Sequence, residues 1–402
     1  MVVERNLAAP ADSLNNMDRR PVTLRPGRRA VAVLAALALL GAGGCAFGEP
    51  DDAAQGKPPN LPPSPSPSGG PDNPEDEVGI QVLAKNLEAP WGLAFLPDGS
   101  ALFTERDTRK IKSITPGGVV QTVQTIDAAS SRGEGGLMGI AASPRYDVDK
   151  TLYIYYTTET DNRISKLTLG GVPTPIVTGI PVSGLHNGGR LHFGPDGFLY
   201  ASTGDATHSG RAQDLRSLGG KILRMTPDGK PAPGNPFPNS LVWSLGHRNV
   251  QGFAWDSQKR LYATEFGQNK LDEINLIQPG KNYGWPTNEG PGTNPKFVNP
   301  LVTWGTQESS PSGAAISGNT MVVAALRGQR LWVVPLDGKG GVAGQPRSAL
   351  QGRFGRLRHV AVAPDGTLWV LTSNRDGRGE PAPEDDRIIR ILPPGSGGVS
   401  KL

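Results

Sequence analysis

A single cysteine, Cys45, excludes a disulfide framework within the chain. The apolar run Ala30 to Ala42, about 13 residues, is too short to span a bilayer comfortably. Positive charge is also scarcer than the net +4 suggests. Residues 1–44 carry six Arg (5, 19, 20, 25, 28, 29) against Glu4, Asp12 and Asp18, a surplus of three, which leaves about +1 for the remainder. Nothing in that balance points to a nucleic-acid partner. Nor does any 10–15-residue amphipathic pattern separate the apolar segments, which argues against a fold of alternating strands and helices.

Turn formers are what the chain has in quantity, with 54 Gly and 38 Pro among 402 residues. Ahead of the apolar run, Arg19, Arg20, Arg25, Arg28 and Arg29 form a basic segment of the kind found in export signals. Arg28-Arg29 also matches the twin-arginine pair of one export route. The run ends in Ala42-Gly43-Gly44-Cys45, where small residues precede the cysteine as at a bacterial lipoprotein processing site. Residues 1–45 are therefore expected to be a leader, with Cys45 lipidated and serving as the only membrane attachment of an exported, extracytoplasmic protein. A plain secretory signal with an incidental cysteine is the alternative. Residues 46–78, with Pro58-Pro59, Pro62-Pro63 and Ser64 to Gly70, cannot bury a core and read as a tether. The folded domain is expected over 79–395.

Within that domain one unit recurs: a Pro/Asp/Gly turn followed by an apolar strand. It appears at Pro97 to Glu105, Pro144 to Thr157, Pro195 to Thr203, Asp256 to Thr264 and Pro364 to Thr372. A less regular copy runs from Gly318 through Val323, followed by Gln329 to Val334. Periods of roughly 45–65 residues in a β-rich chain signify propeller blades. The predicted fold is all-β, a six-bladed β-propeller with four-stranded antiparallel blades.

Loops placed by such a scaffold carry function. Five stand out: Gly133 to Gly139 with Glu134; His186-Asn-Gly-Gly-Arg190, followed by Asp205; Gly246-His-Arg-Asn249; Glu265 to Asn275 with Gly280 to Pro286; and Arg356-Leu-Arg358. Acids beside glycine-rich loops suit a hard cation such as Ca²⁺, although regular EF-hand spacing is absent and spacing alone leaves a metal open. Alternation along a strand places Arg356 and Arg358 on one face.

Together these segments resemble the soluble pyrroloquinoline quinone (PQQ)-dependent glucose/sorbosone (aldose sugar) dehydrogenase family. The resemblance covers about 80–392 and rests on Leu87 to Gly99, Gly133 to Gly139, His186 to Arg190 and Ala212 to Arg224. Asn235-Pro-Phe237, Gly246 to Asn249, Asp272 to Asn275 and Asn282-Tyr-Gly-Trp-Pro286 continue it in the same order. It implies a quinoprotein that oxidises the C1 hydroxyl of an aldose to a lactone and passes electrons to an external acceptor. In that reading His186 is the general base and Asp205 orients it. Glu134, Arg248, Asn249, Ser312, Arg327, Arg356 and Arg358 contact PQQ, whose three carboxylates suit arginine. The Gly267 and Gln268 carbonyls ligate the Ca²⁺ that PQQ binds, and Glu273 with the Tyr283 carbonyl holds a second, structural Ca²⁺. Glu134 departs from the family pattern, where Gln is usual, and so brings a negative charge to the cofactor. Gln268 stands where Pro is found in glucose-oxidising members, and Arg327 where Lys is common. The alternatives are a tethered propeller that binds a sugar or protein without turnover, and a Ca²⁺-dependent lactone hydrolase.

Overall fold

The computed structural model describes residues 79–392. The leader, Cys45 and the tether lie outside the described residues. Six four-stranded antiparallel sheets make up this region. In blade one Pro90–Phe95, Ala101–Glu105, Lys110–Ile114 and Val120–Thr125 follow one another outward. The same meander builds blade two from Leu137–Ala142, blade three from Leu191–Phe193, blade four from Val250–Trp255 and blade five from Pro311–Ser317. Blade six closes the ring differently. Its three strands from the end of the chain, starting with Leu357–Val362, receive Ile80–Ala84 as the outermost strand, paired with Ile388–Ile391. Joining the two ends of the domain in one sheet leaves no open gap between first and last blades.

The first strands of the sheets neighbour one another around a central axis. The recurring turn–strand unit of the sequence corresponds to the second strand of every blade: Ala101–Glu105, Leu152–Thr157, Leu199–Ser202, Leu261–Glu265, Thr320–Ala325 and Leu368–Thr372. These strands are buried on both faces, because each blade is covered by a neighbour on either side. That is why Leu152–Thr157 reads LYIYYT rather than alternating apolar and polar. Each interface between adjacent blades is filled by its own apolar cluster. Phe103 and Trp369 join blades one and six, and Val323, Trp332 and Tyr262 join blades five and four. A short helix, Tyr146–Asp149, interrupts the second repeat unit. Among the described residues no helix is long and apolar enough to cross a membrane.

Two features shape the end of the channel where the site forms. The first strands of blades one, two, four, five and six each carry a register irregularity near their start. Such bulges bend a strand and re-aim its side chains. Glycine lets these irregular stretches pack closely: a Cβ on Gly252 would run into the Ser312 carbonyl of the next blade.

Candidate active site

Two sets of loops converge at one end of the channel. One set leads into the first strand of a blade and carries Glu134, His186, Arg248, Ser310 and Arg356; the other follows the second strand and carries Arg106, Gly267, Arg327 and Asp376. Their side chains wall a single pocket.

His186 sits at its edge with a φ of 57°, a conformation unfavourable for any residue with a Cβ. Hydrogen bonds hold it there. Its N–H donates to Glu134 Oε2 at 2.8 Å, and its carbonyl accepts from Ala206 N at 3.2 Å. Gly204 is required beneath it, since a Cβ there would run into the His186 carbonyl. The imidazole Nδ1 lies 2.8 Å from Asp205 Oδ1. Asp205 is itself fixed on both oxygens: Trp285 Nε1 donates to Oδ2 at 2.8 Å and Thr207 N donates to Oδ1 at 2.8 Å. Burial opposes ionisation of Asp205, but His186, Trp285 and the Arg248 charge outweigh it and hold the carboxyl below its usual range. An ionised Asp205 on Nδ1 fixes the ring so that Nε2 is the nitrogen left for chemistry.

Opposite this pair the pocket wall is dominated by Arg106, Arg248, Arg327, Arg356, Arg358 and Arg378, set against Glu134, Asp272 and Asp376. Asp107 accepts from Arg106 Nε at 2.8 Å and from Nη2 at 2.9 Å, so with Asp107 and Asp205 counted the six arginines face five acids, a surplus of one positive charge when every acid is ionised. Asp376 is the hub of one side: Arg356 Nη2 donates to its Oδ2 at 3.1 Å and Arg358 Nη2 at 3.2 Å. Although burial would raise it, the charges of Arg356, Arg358 and Arg106 pull Asp376 down to about 2. Burial pushes Asp272 the other way, up to about 7. Gln251 Oε1 accepts from Arg358 Nη1 at 2.7 Å and from Ser312 Oγ at 3.0 Å. Nε of both Arg248 and Arg358 is buried without a hydrogen-bond partner among the described residues. A pocket walled by six arginines suits a polyanion.

Most of the residues singled out in the sequence meet here: His186, Glu134, Arg248, Arg327, Arg356, Arg358, Gly267 and Gln268 all line the pocket, with Asp205 bonded behind His186. Asn249 and Ser312 do not line it. Asn249 is fully buried, with Oδ1 accepting from Gly188 N at 3.0 Å, and Ser312 reaches the pocket only through Gln251. Glu134 is held in its ionised form. Arg378 Nη1 lies 2.9 Å from its Oε1, and, against the cost of burial, Arg378 and His186 keep it ionised below the usual carboxyl value. Glu273 and Tyr283 lie together in a separate small cavity that also touches Glu265 and Glu289. Burial, then the charge of Glu265, push Glu273 up to about 7. Among the described residues no group of three or more His, Cys, Asp and Glu side chains is arranged to hold a metal ion.

Arg106, Gln251, Asp376 and Arg378 are pocket residues that sequence reading missed. A signal for two of them exists. Arg106 lies in the loop after the second strand of blade one, and Asp376 in that of blade six, the same loop that carries Gly267 and Arg327 in blades four and five. Applying the repeat to every blade would have found them.

Fold and site together define a six-bladed propeller that holds an anionic group at one end of its channel beside a His–Asp pair. The glucose/sorbosone dehydrogenase family model matches residues 87–379. The PQQ-bound aldose sugar dehydrogenase of Streptomyces coelicolor is similar, with 48% identity and a TM-score of 0.75 over 79% of this chain and 99% of that one. A glucose dehydrogenase-like oxidoreductase of Thermus thermophilus shows 43% identity and a TM-score of 0.74 over 78% and 100% of the two chains. Aldose sugar dehydrogenase YliI of Escherichia coli is 28% identical over 75% of this chain and 91% of its own length. The chain belongs to the glucose/sorbosone dehydrogenase family.

Proposed function

We propose that this protein is a PQQ- and calcium-dependent dehydrogenase that oxidises the C1 hydroxyl of aldose sugars to lactones and delivers the electrons to an external acceptor. The observation that carries the reading is the arginine-walled pocket opening directly beside the His186–Asp205 pair. Its six arginines suit the three carboxylates of PQQ, which a guanidinium can bind bidentately. Arg248, Arg327, Arg356 and Arg358 are the residues that hold the cofactor in this reading, with Glu134 at its edge. Asn249 and Ser312 then act from behind the pocket wall, through Gly188 and Gln251 respectively. When bound, PQQ supplies the acceptor for the hydride that leaves the sugar C1, chemistry no side chain of the pocket offers.

The chain's own part is proton transfer and positioning. His186 takes the proton of the C1 hydroxyl on Nε2 as the hydroxyl becomes a carbonyl. Asp205 stabilises the imidazolium that results, and Trp285 and Thr207 keep Asp205 aimed at Nδ1. Glu134 fixes the His186 backbone while Arg378 balances its charge. The backbone of Gly267 and Gln268, part of the same wall, offers oxygen ligands of the kind Ca²⁺ takes. Glu273 and Tyr283 are the second calcium position; the raised Glu273 beside Glu265 is an acid pair that a cation would relieve. Lipid attachment through Cys45 would hold this exported domain at a membrane surface.

The test is dye-linked oxidation of a panel of aldoses by the full chain, with PQQ and Ca²⁺ added singly and together. Turnover that requires both supports the reading. PQQ binding with no turnover on any aldose would remove the substrate class, and absence of PQQ binding would remove the enzyme.

A further inference from the structure

The opposite end of the central channel holds a cavity of about 540 Å³, walled by the far ends of all six first strands. Its walls are largely apolar, with Phe95, Phe193, Phe253 and Trp255 among them, and among the described residues no Asp or Glu lines it. The titratable groups in it are Arg190, His192 and His359.

Arg190 is the unusual member. Only 4% of it is exposed, and no carboxylate pairs with it among the described residues. Its Nε donates to the Gln251 carbonyl at 2.8 Å, while Nη2 is buried without a partner among the described residues. The guanidinium stacks 4.2 Å from the Trp91 ring, which also lies 5.9 Å from Arg358 on the side of the arginine-rich pocket. With Nε committed to Gln251 and Nη2 closed off, Nη1 is the guanidinium nitrogen left for a charge-assisted hydrogen bond to a carboxylate. Burying an unpaired cation is costly, and the nearest strong charge, Arg358, is of the same sign. His359, 7% exposed and with Nδ1 unpartnered, is held well below the usual imidazole value by burial and by Arg190. It is neutral and supplies no compensating charge. His192 stands exposed on the wall, its ring against Trp255.

We propose that this cavity is a binding site for a small organic monocarboxylate, its carboxylate on the Arg190 guanidinium and its apolar body against the aromatic walls. A mostly apolar cavity with one directed polar group is the usual form of a small-molecule site. The aromatic lining favours a carboxylate with an apolar body over a bare inorganic anion. The site is separated from the sugar-oxidising pocket by the Arg190–Trp91–Arg358 layer, and its existence does not depend on the activity proposed above.

Benzoate is a suitable probe, followed by calorimetry and by tryptophan fluorescence on the full chain. The expected result is saturable binding, with benzyl alcohol and chloride each weaker by about tenfold or more, as loss of a charge-assisted hydrogen bond or of the apolar contact requires. Arg190→Gln should lose benzoate affinity by a similar factor. Ala361→Phe, which fills the cavity from the strand Leu357–Val362, should block binding even if the first variant does not fold. Arg356→Gln, at the opposite pocket, should leave it unchanged. Absence of saturable binding, retained binding in folded Arg190→Gln or in Ala361→Phe, or loss in Arg356→Gln would overturn the proposal. Chloride binding as tightly as benzoate would replace the organic ligand by an inorganic anion.

Discussion

Asp376→Asn removes a carboxylate that two buried arginines share, and its effect can be worked from the structure. The folded carboxyl sits at about 2 against an ordinary 3.8. Each unit of that difference corresponds to 1.36 kcal/mol, so the ionised group stabilises the fold by about 2 kcal/mol. The sign follows from the depression. A carboxyl whose folded value is lowered contributes fully above its unfolded value, and the contribution is lost as pH falls from about 4 to about 2. At neutral pH the whole amount is therefore exposed to mutation. For a domain of about 310 residues, an unfolding entropy of about 2.1 cal/mol/K per residue converts this to a melting temperature lower by about 3–4 °C. The assay is thermal unfolding of the cofactor-free protein at pH 7. The same substitution removes a negative charge from the pocket wall, so PQQ should bind at least as tightly as to the parent, whereas Arg356→Gln should weaken it. An unchanged or raised melting temperature in Asp376→Asn would refute the charge account of this pocket, as would PQQ affinity falling in step with stability.

Three further outcomes follow from single contacts. Glu134→Gln keeps an acceptor for the His186 N–H but loses the Arg378 ion pair, so stability should fall by about 1 kcal/mol in thermal unfolding while turnover is largely retained. Trp285→Phe deletes the donor on Asp205 Oδ2 and should reduce kcat about tenfold with little change in KM, as steady-state kinetics would show. Gly252→Ala drives a methyl into the Ser312 carbonyl at the contact of blades four and five, and should cost about 1–3 kcal/mol in chemical denaturation.

The six blades were legible because the repeat lies in the strand that every blade buries on both faces. A turn followed by a continuous apolar run is hard to mistake when it recurs six times. The closing strand Ile80–Ala84 was not legible as such, since joining blade six depends on the far end of the chain. In the site, residues beside glycines in ordered motifs announced themselves, as with His186 and Arg248. Asp376, Arg378 and Arg106 did not, because short Arg/Asp-rich loops read as solvated surface until the blade geometry brings them to one channel end. Asn249 shows the reverse: adjacent in sequence to Arg248, it is fully buried and braces Gly188, so neighbours in a motif need not share a pocket. Arg190 belongs to the His186 motif, yet it lines the opposite cavity.

The most direct measurement pairs PQQ binding with turnover in His186→Ala. PQQ is titrated into parent and variant by absorbance in the presence of Ca²⁺, and dye-linked kcat is then measured on the aldose the parent oxidises best. The account predicts closely similar PQQ affinity and a fall in kcat of about 10²–10⁴-fold, the range for loss of a positioned general base. A variant that binds PQQ and turns over at the parent's rate would contradict the assignment of His186 and, with it, the mechanism proposed for this pocket.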